Sequence, residues 1–183
     1  MGPLPERLQR WQESRNHLAI GNLGEQVTGR LLMSLGYHLL GSQDDFLGMV
    51  SQVLGEPTHA HPEDFIAIDP NGRLMTINSK ASISPRSCRT THSGDLSVPR
   101  LGRSQNQIRY ATYRANLISP LDGESFAQVV KVDLLHLKAQ IFEIGNDGRL
   151  FRLTNLHEIS DLVRTTLEEY PDSMPPPNIW DLA

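Results

Sequence analysis

The 183-residue sequence lacks most features of secreted and membrane proteins. Its single cysteine, Cys88, excludes an internal disulfide and suits a reducing compartment. No run approaches the roughly 18 consecutive apolar residues that a bilayer-spanning helix needs. Residues 1–7 lack the apolar core of a signal peptide. We therefore expect a cytoplasmic protein with no membrane partner.

The sequence also gives little support to thiol or zinc chemistry. No obvious base accompanies Cys88, so the thiol is a weak candidate nucleophile. His59 and His61 form a pair with zinc-ligand spacing, but no third or fourth ligand stands at a recognisable distance from them. We interpret residues 58–62 as a solvated loop.

A strongly basic composition is absent too, because the formal net charge is −4. This value argues against a protein that coats nucleic acid indiscriminately. The charge is nevertheless uneven. Residues 81–118 contain one acid, Asp95, and six arginines, namely Arg86, Arg89, Arg100, Arg103, Arg109 and Arg114. Residues 158–183 contain one base, Arg164, and six acids, namely Glu158, Asp161, Glu168, Glu169, Asp172 and Asp181. The net charge therefore conceals a basic middle segment and an acidic C-terminal segment.

Two helices are predicted near the N-terminus. The first is amphipathic and covers residues 5–17. In the second, Asn22 is a candidate cap, Glu25 three residues later completes a capping arrangement, and Gly36 can close the C-terminus. Its core face repeats at helical spacing through Leu23, Val27, Leu31 and Leu35. Two interpretations of Glu25 stay open: a capping partner, or a carboxylate aimed at a metal site.

Residues 63–80 predict a β-hairpin. Two apolar runs flank Asn71-Gly72, and an Asn-Gly pair between β-type segments is the strongest short-range hairpin signal. One face would carry Ile66, Ile68, Leu74 and Thr76, and the other Phe65, Ala67, Met75 and Ile77. Because both faces are largely apolar, we expect central strands that are covered on both sides.

The loop length decides which side chains of this hairpin meet. A two-residue loop would place Asp64 opposite Ser79. A three-residue loop over residues 70–72, with a left-handed Gly72, would place Asp64 opposite Asn78. We adopt the second register as a working hypothesis, because side chains alternate along a strand and only this register sets Asp64, Asn78 and Lys80 on one face.

That grouping could hold a divalent metal and an anion together. Asn78 and Lys80 fall where a central strand should still be buried or half-buried. A buried lysine needs a partner, which favours a functional role for Lys80. The alternative is a lysine that extends from the strand end into solvent.

The rest of the chain completes one α/β domain over residues 1–170. A short strand is expected at 37–40 and a long loop at 83–103. Ser104 should cap a helix to about residue 118, with Gln107 as its reciprocal partner. Further strands are predicted at 126–134, 139–144 and 149–154, the last two joined by a turn at 146–148. Asn155 should cap a helix over 156–170 that buries Ile159, Leu162, Val163 and Leu167. Residues 171–183, with four prolines, are expected to form an extended tail.

This order of elements resembles the PD-(D/E)XK nuclease superfamily over about residues 21–134. The resemblance implies a restriction-endonuclease-like fold, in which helices flank a central mixed β-sheet. It further implies that Glu25 is the helix glutamate of many members, Asp64 the metal-binding aspartate and Lys80 the catalytic lysine. Gln107 matches the glutamine that some branches place on the following helix, although its capping role explains it equally well.

Two positions depart from the family pattern. Pro62 stands two places before Asp64, with Glu63 between them, and strand alternation would turn Glu63 away from the site. Asn78 occupies the second acid position. An amide oxygen can bind Mg²⁺ but contributes no negative charge, so metal affinity should fall. Natural divergence and a deliberately introduced substitution both remain open explanations for Asn78.

The resemblance predicts a nuclease that cleaves DNA or RNA with Mg²⁺ or Mn²⁺. Asp64, Asn78 and Glu25 would surround the metal, and Lys80 would act with Glu25 and Asp64 in catalysis. The nucleic-acid backbone would be bound by Arg86, Arg89, Arg100, Arg103, Gln107 and Arg109. One alternative is a catalytically inactive nuclease-fold protein that binds nucleic acid or a protein partner. Another is an interaction protein that uses its acidic C-terminal helix and tail, and this tail could also shield the basic loop.

Overall fold

The computed structural model describes residues 5–41, 64–99, 126–144 and 149–170. These residues form an α/β structure in which three helices pack on one seven-stranded mixed sheet. The helices are α1 (Glu6–Glu13), α2 (His17–Ser34) and α3 (Ser160–Glu169). The strands are β1 (His38–Gly41), β2 (Phe65–Ile68), β3 (Leu74–Ser82), β4 (Phe126–Asp133), β5 (Lys138–Ile144), β6 (Leu150–Arg152) and β7 (His157–Glu158).

The sheet places β1 to β6 side by side in chain order, and β7 pairs with β5. The pairs β1–β2, β2–β3, β4–β5 and β5–β6 are antiparallel. The central pair, β3 and β4, is parallel. In the described part of the chain, no helix is long and apolar enough to cross a membrane.

All three helices share a hydrophobic core with one face of the sheet. That face presents Phe65, Ala67, Met75 and Ile77 to the apolar residues of α2. On the opposite face, Ile66 and Leu74 are also buried. The prediction that the hairpin strands are covered on both sides is therefore confirmed.

The two N-terminal helices differ from their predicted bounds. Helix α1 ends at Glu13, because Arg15 takes a left-handed conformation with φ 53°. Asn16 then caps α2, and its side chain accepts a hydrogen bond from the Ala19 amide at 3.1 Å. The prediction that Asn22 is the cap was wrong, so Glu25 lies in the middle of the helix and is not a capping partner. At the other end, Gly36 has φ 84° and closes the helix as expected.

Helix α3 also begins later than its sequence signal. Residues 157 and 158 form β7, which pairs with Ala139 and Lys138 of β5. The helix therefore starts at Ser160 and Asn155 is not its cap, because sheet pairing overrides the local capping signal. The predicted buried face is largely confirmed, since Ile159, Val163 and Leu167 enter the main core.

A buried polar network fixes the closed end of the hairpin. Asp69 accepts hydrogen bonds from the amide and the guanidinium of Arg73, both at 2.8 Å. Arg73 also reaches Glu143 on β5 at 3.2 Å, and Gln128 on β4 links Glu143 to the hydroxyl of Tyr37. Side chains from β4, which is next to the hairpin, and from β5, one strand further, thus hold the turn between β2 and β3.

Candidate active site at the open end of the hairpin

The hairpin has the register of the working hypothesis. Phe65 is the Cα partner of Ile77, and the pairing continues regularly to Ile68 and Leu74. The Asp69 amide donates to the Arg73 carbonyl at 2.9 Å across a three-residue loop in which Gly72 has φ 81°. The regular pairing ends at Phe65, and the Asp64 amide donates to the Ile77 carbonyl at 3.0 Å. The pairing of Asp64 with Asn78 therefore stays a prediction, although Asp64 contacts the residues on either side of Asn78.

The Asp64 carboxylate is held by the backbone of the neighbouring strand. Its Oδ2 accepts a hydrogen bond from the Ser79 amide at 2.6 Å. Burial raises the pKa of Asp64 above its ordinary value, and the Ser79 amide and the Lys80 ammonium offset only part of that effect. Asp64 and Lys80 are therefore close enough for their charges to interact.

Glu25 reaches this site from α2, which lies very close to β3. Gly24 packs directly on Ala81, and the Thr28 Oγ1 lies 2.8 Å from the Ser79 Oγ. Burial, followed by repulsion from the Asp64 carboxylate, raises the pKa of Glu25 to about 7. Two half-buried carboxylates that repel each other are stabilised by either a proton or a cation.

Asn78 and Lys80 project from the other side of the sheet. Because Ser79 and Ala81 contact α2, strand alternation turns Asn78 and Lys80 to the face away from that helix. Asn78 is 5 % exposed, as expected for a central strand. Lys80 is exposed, so the prediction that it is buried or half-buried was wrong, and extension into solvent describes it better.

The structure thus brings Asp64 and the part of α2 that carries Glu25 to the stretch of β3 that holds Asn78 and Lys80. The Asp64 carboxylate repels that of Glu25 and is attracted by the Lys80 ammonium. Asn78 occupies the neighbouring position on the face away from α2. The prediction grouped these side chains on one face. In the structure, Glu25 approaches Asp64 from the side of α2, and Asn78 lies on the opposite face of the sheet.

Only part of the predicted basic surface falls within the described residues. Arg86 and Arg89 are exposed on residues 83–99, which form the predicted loop apart from a single bridge between Thr90 and Leu96. Four other predicted contacts lie outside the described residues: Arg100, Arg103, Gln107 and Arg109. The same holds for His59, His61, Glu63, the predicted helix after Ser104, and the tail at 171–183.

Sequence reasoning missed Lys131, which lies next to the candidate site. Lys131 is the Cα partner of Lys80 in the parallel pair and is 6 % exposed. Its Nζ donates to the carbonyl oxygen and to the Oγ of Ser97, both at 2.7 Å. The available signal was a lysine inside the apolar run Val129-Val130-Lys131-Val132, in a strand that was expected to be buried.

Cys88 is excluded as a reactive thiol. It is 3 % exposed, and its Sγ donates to the Ser82 carbonyl at 3.3 Å. Burial, with the nearby Asp133 carboxylate, raises the pKa of the thiol to about 12. The nucleophilic thiolate is therefore a minor species at neutral pH.

The donor atoms near Asp64 fit a hard divalent cation in type but carry little charge. The described residues contain no group of three His, Cys, Asp or Glu side chains that could hold a metal. The candidate donors are the carboxylates of Glu25 and Asp64 and the amide oxygen of Asn78. Oxygen donors of this kind suit Mg²⁺ or Mn²⁺, and the raised pKa values of both acids indicate a site that a cation would stabilise.

A scan of protein-family models found no match to this chain. Searches of curated proteins and of solved structures also found no match.

Proposed function

We propose that this protein is a metal-dependent nuclease that hydrolyses phosphodiester bonds of DNA or RNA. One observation carries the proposal: the Asp64 carboxylate accepts a hydrogen bond from the Ser79 amide, between Asn78 and Lys80 on β3, and α2 brings Glu25 to the same stretch of β3 through its contacts with Ser79 and Ala81. The element order supports it, because a helix with the glutamate precedes three antiparallel strands and then a parallel β4. This order is the one expected of a restriction-endonuclease-like fold.

Each residue has a role that follows from its chemistry. Glu25 and Asp64 would bind Mg²⁺ or Mn²⁺ with the Asn78 amide oxygen. The bound cation supplies Lewis-acid chemistry and lowers the pKa of a coordinated water. The Lys80 ammonium is exposed and lies near Asp64, where it would orient the attacking water or stabilise the negative charge that develops on the phosphoryl oxygens.

Substrate would be held mainly through its backbone. Arg86 and Arg89 are exposed on the segment that follows β3. Contacts from arginine to phosphate position a nucleic acid without reading its sequence. Binding should therefore weaken steeply as salt concentration rises.

A second candidate function is a nuclease-fold protein that binds nucleic acid or a protein partner without cleavage. Asn78 favours it, because an amide in place of an acid leaves two carboxylates to balance a divalent cation. The overall charge of −4 points the same way.

Cleavage assays distinguish the two functions. Plasmid DNA and a structured RNA are incubated with the wild-type protein and with Asn78→Asp, in Mg²⁺, in Mn²⁺ and in EDTA. We expect metal-dependent cleavage that Asn78→Asp accelerates and Lys80→Ala abolishes. Lys138→Ala is the matched control, because it removes a lysine on β5 that pairs with Glu158.

Two results would reject the nuclease proposal. One is the absence of cleavage by both the wild-type protein and Asn78→Asp. The other is cleavage that survives Lys80→Ala. Nucleic-acid binding that persists in EDTA, without turnover by Asn78→Asp, would favour the second candidate function.

A further inference from the structure

Lys131 is buried without a direct acidic partner among the described residues. Buried lysines are normally paired with carboxylates, because an isolated ammonium is costly to remove from water. Here both hydrogen bonds of the ammonium within the described residues go to neutral oxygen atoms of Ser97. The positive charge is therefore solvated by dipoles and not cancelled.

The acid nearest to Lys131 along β4 is Asp133, and its carboxylate already makes hydrogen bonds to other groups. Asp133 accepts hydrogen bonds from the backbone amides of Leu135 and His136, and its Oδ2 lies 2.7 Å from the His136 ring. Burial lowers the pKa of Lys131, and attraction by the Asp133 carboxylate offsets this effect only in part, because the Cys88 thiol is neutral at neutral pH. A nearby anion would therefore stabilise the Lys131 ammonium.

Lys80 adds a second positive charge beside the first. Lys80 and Lys131 are Cα partners on parallel strands, so their side chains leave the same face of the sheet at a strand spacing of about 4.8 Å. Like charges in this arrangement destabilise a sheet. A ligand with negative charge would remove that penalty.

Building on the proposed nuclease function, we propose that Lys80, Lys131 and Ser97 form a metal-independent site for a backbone phosphate of the nucleic acid. The site lies on the face of the sheet away from α2. Lys80 is exposed and meets the phosphate first. The Ser97 hydroxyl accepts from Lys131, so its own hydrogen remains available to a phosphate oxygen. The Ser97 amide donates to the Arg89 carbonyl at 2.9 Å, which places the site next to one of the arginines proposed to bind the nucleic-acid backbone.

The test measures binding in EDTA, where cleavage cannot occur. Fluorescence anisotropy follows a labelled duplex and a labelled single strand over a range of salt concentrations, with wild-type protein and Lys131→Met. Loss of one phosphate contact should reduce the slope of log affinity against log salt by about 0.9 for duplex and about 0.7 for single strand. The duplex affinity ratio between wild type and variant should shrink roughly threefold between about 50 mM and 200 mM salt.

Three further variants separate an anion site from a purely structural lysine. Lys80→Met changes an exposed residue and should give the same loss of slope, even if Lys131→Met folds poorly. Lys138→Met removes an equal charge elsewhere on the sheet and should leave the slope unchanged. Ser97→Ala retains both ammonium groups but removes one hydrogen bond to the phosphate, so its affinity should fall at every salt concentration while its slope stays near the wild-type value.

The outcomes are distinguishable from those of the nuclease proposal. Unchanged slopes for both Lys80→Met and Lys131→Met would overturn the phosphate site, whether or not the protein cleaves. If both lysine variants reduce the slope of log affinity against log salt but the protein cleaves neither DNA nor RNA, the phosphate site is supported and the nuclease proposal is rejected. Inorganic phosphate provides a separate arm: if it binds through Lys131 while neither oligonucleotide does, the site serves a free anion and the backbone assignment is rejected.

Discussion

The hydroxyl oxygens of Thr28 and Ser79 lie 2.8 Å apart and join the middle of α2 to β3. One helical turn earlier, Gly24 packs on Ala81. Glu25 lies between these two contacts. Its position over the hairpin is therefore set by the close approach of the helix to the strand, and changes at either contact should move the carboxylate.

The first prediction concerns Gly24→Ala. A Cβ at this position would lie 2.1 Å from the Ala81 Cβ, so the helix must shift. We expect a loss of about 1–3 kcal/mol in the free energy of unfolding, measured by urea denaturation. Gly21→Ala is the control, because nothing lies within 4 Å of its added Cβ. The control should gain up to about 1 kcal/mol from helix propensity, and equal effects at the two positions would contradict the close packing.

The second prediction is a pH dependence of stability that originates at Glu25. Its pKa is about 7 in the folded protein against 4.5 for an unperturbed glutamate, so the folded state holds the proton over that interval. The associated stability is fully present below pH 4.5 and is lost as the pH rises from there through about 7, by at most about 3 kcal/mol. In Glu25→Gln this loss should be much smaller.

Urea midpoints in EDTA at about pH 5 and pH 8 measure that effect. The wild-type protein should lose more stability between the two values than Glu25→Gln. Asp64, whose pKa is also raised, contributes in the same direction and remains in both proteins. Parallel curves for the two proteins would show that the Glu25 carboxyl is not held in a desolvated, repulsive setting.

The third prediction concerns Asn78→Asp as a metal-binding change that needs no activity to be seen. Asn78 is 5 % exposed and adjoins Asp64, so a third carboxylate there should cost on the order of 2 kcal/mol in EDTA. Excess Mg²⁺ or Mn²⁺ should restore this loss and raise Tm more than in the wild type. Asn155→Asp, at an exposed position, is the control and should show no metal dependence. A Tm of Asn78→Asp that does not respond to either cation would argue against a metal at this end of the hairpin.

The fourth prediction is that Cys88 resists alkylation in the folded protein. Raising the thiol pKa from 9.0 to about 12 lowers the thiolate fraction at pH 8 by about three orders of magnitude. Mass spectrometry after iodoacetamide treatment should show almost no modification in buffer and complete modification in urea. Rapid modification without denaturant would mean that residues 83–99 open readily.

The hairpin and its register could be predicted because their signals are local. Asn71-Gly72 marks the turn, and the apolar runs on both sides set which residues face the core. Helix ends were harder. Asn16 and Asn22 are both acceptable caps, and the choice depends on where α1 ends, which the left-handed Arg15 decides.

Contacts between segments that are distant in the sequence could not be predicted from local patterns. Strand β7 exists because two residues pair with β5, and two residues carry no usable period. Lys131 was missed because its importance comes from Lys80 on the adjacent strand and Ser97 on a loop. The exposure of Lys80 was mispredicted because the hairpin pattern cannot show where β3 leaves the covered part of the sheet.

The parallel pairing of β3 with β4 has a consequence for the order of folding. Helix α2 and the β2–β3 hairpin are contiguous in sequence apart from the segment after β1, whereas β4 begins 44 residues after the last residue of β3, at Phe126 against Ser82. Closing so long a connection costs entropy before any contact compensates for it, which slows parallel pairing. The N-terminal half should therefore become protected against hydrogen exchange before the centre of the sheet closes. Glu25 and Asp64 would then meet early, and the two neighbouring lysines would be the last to come together.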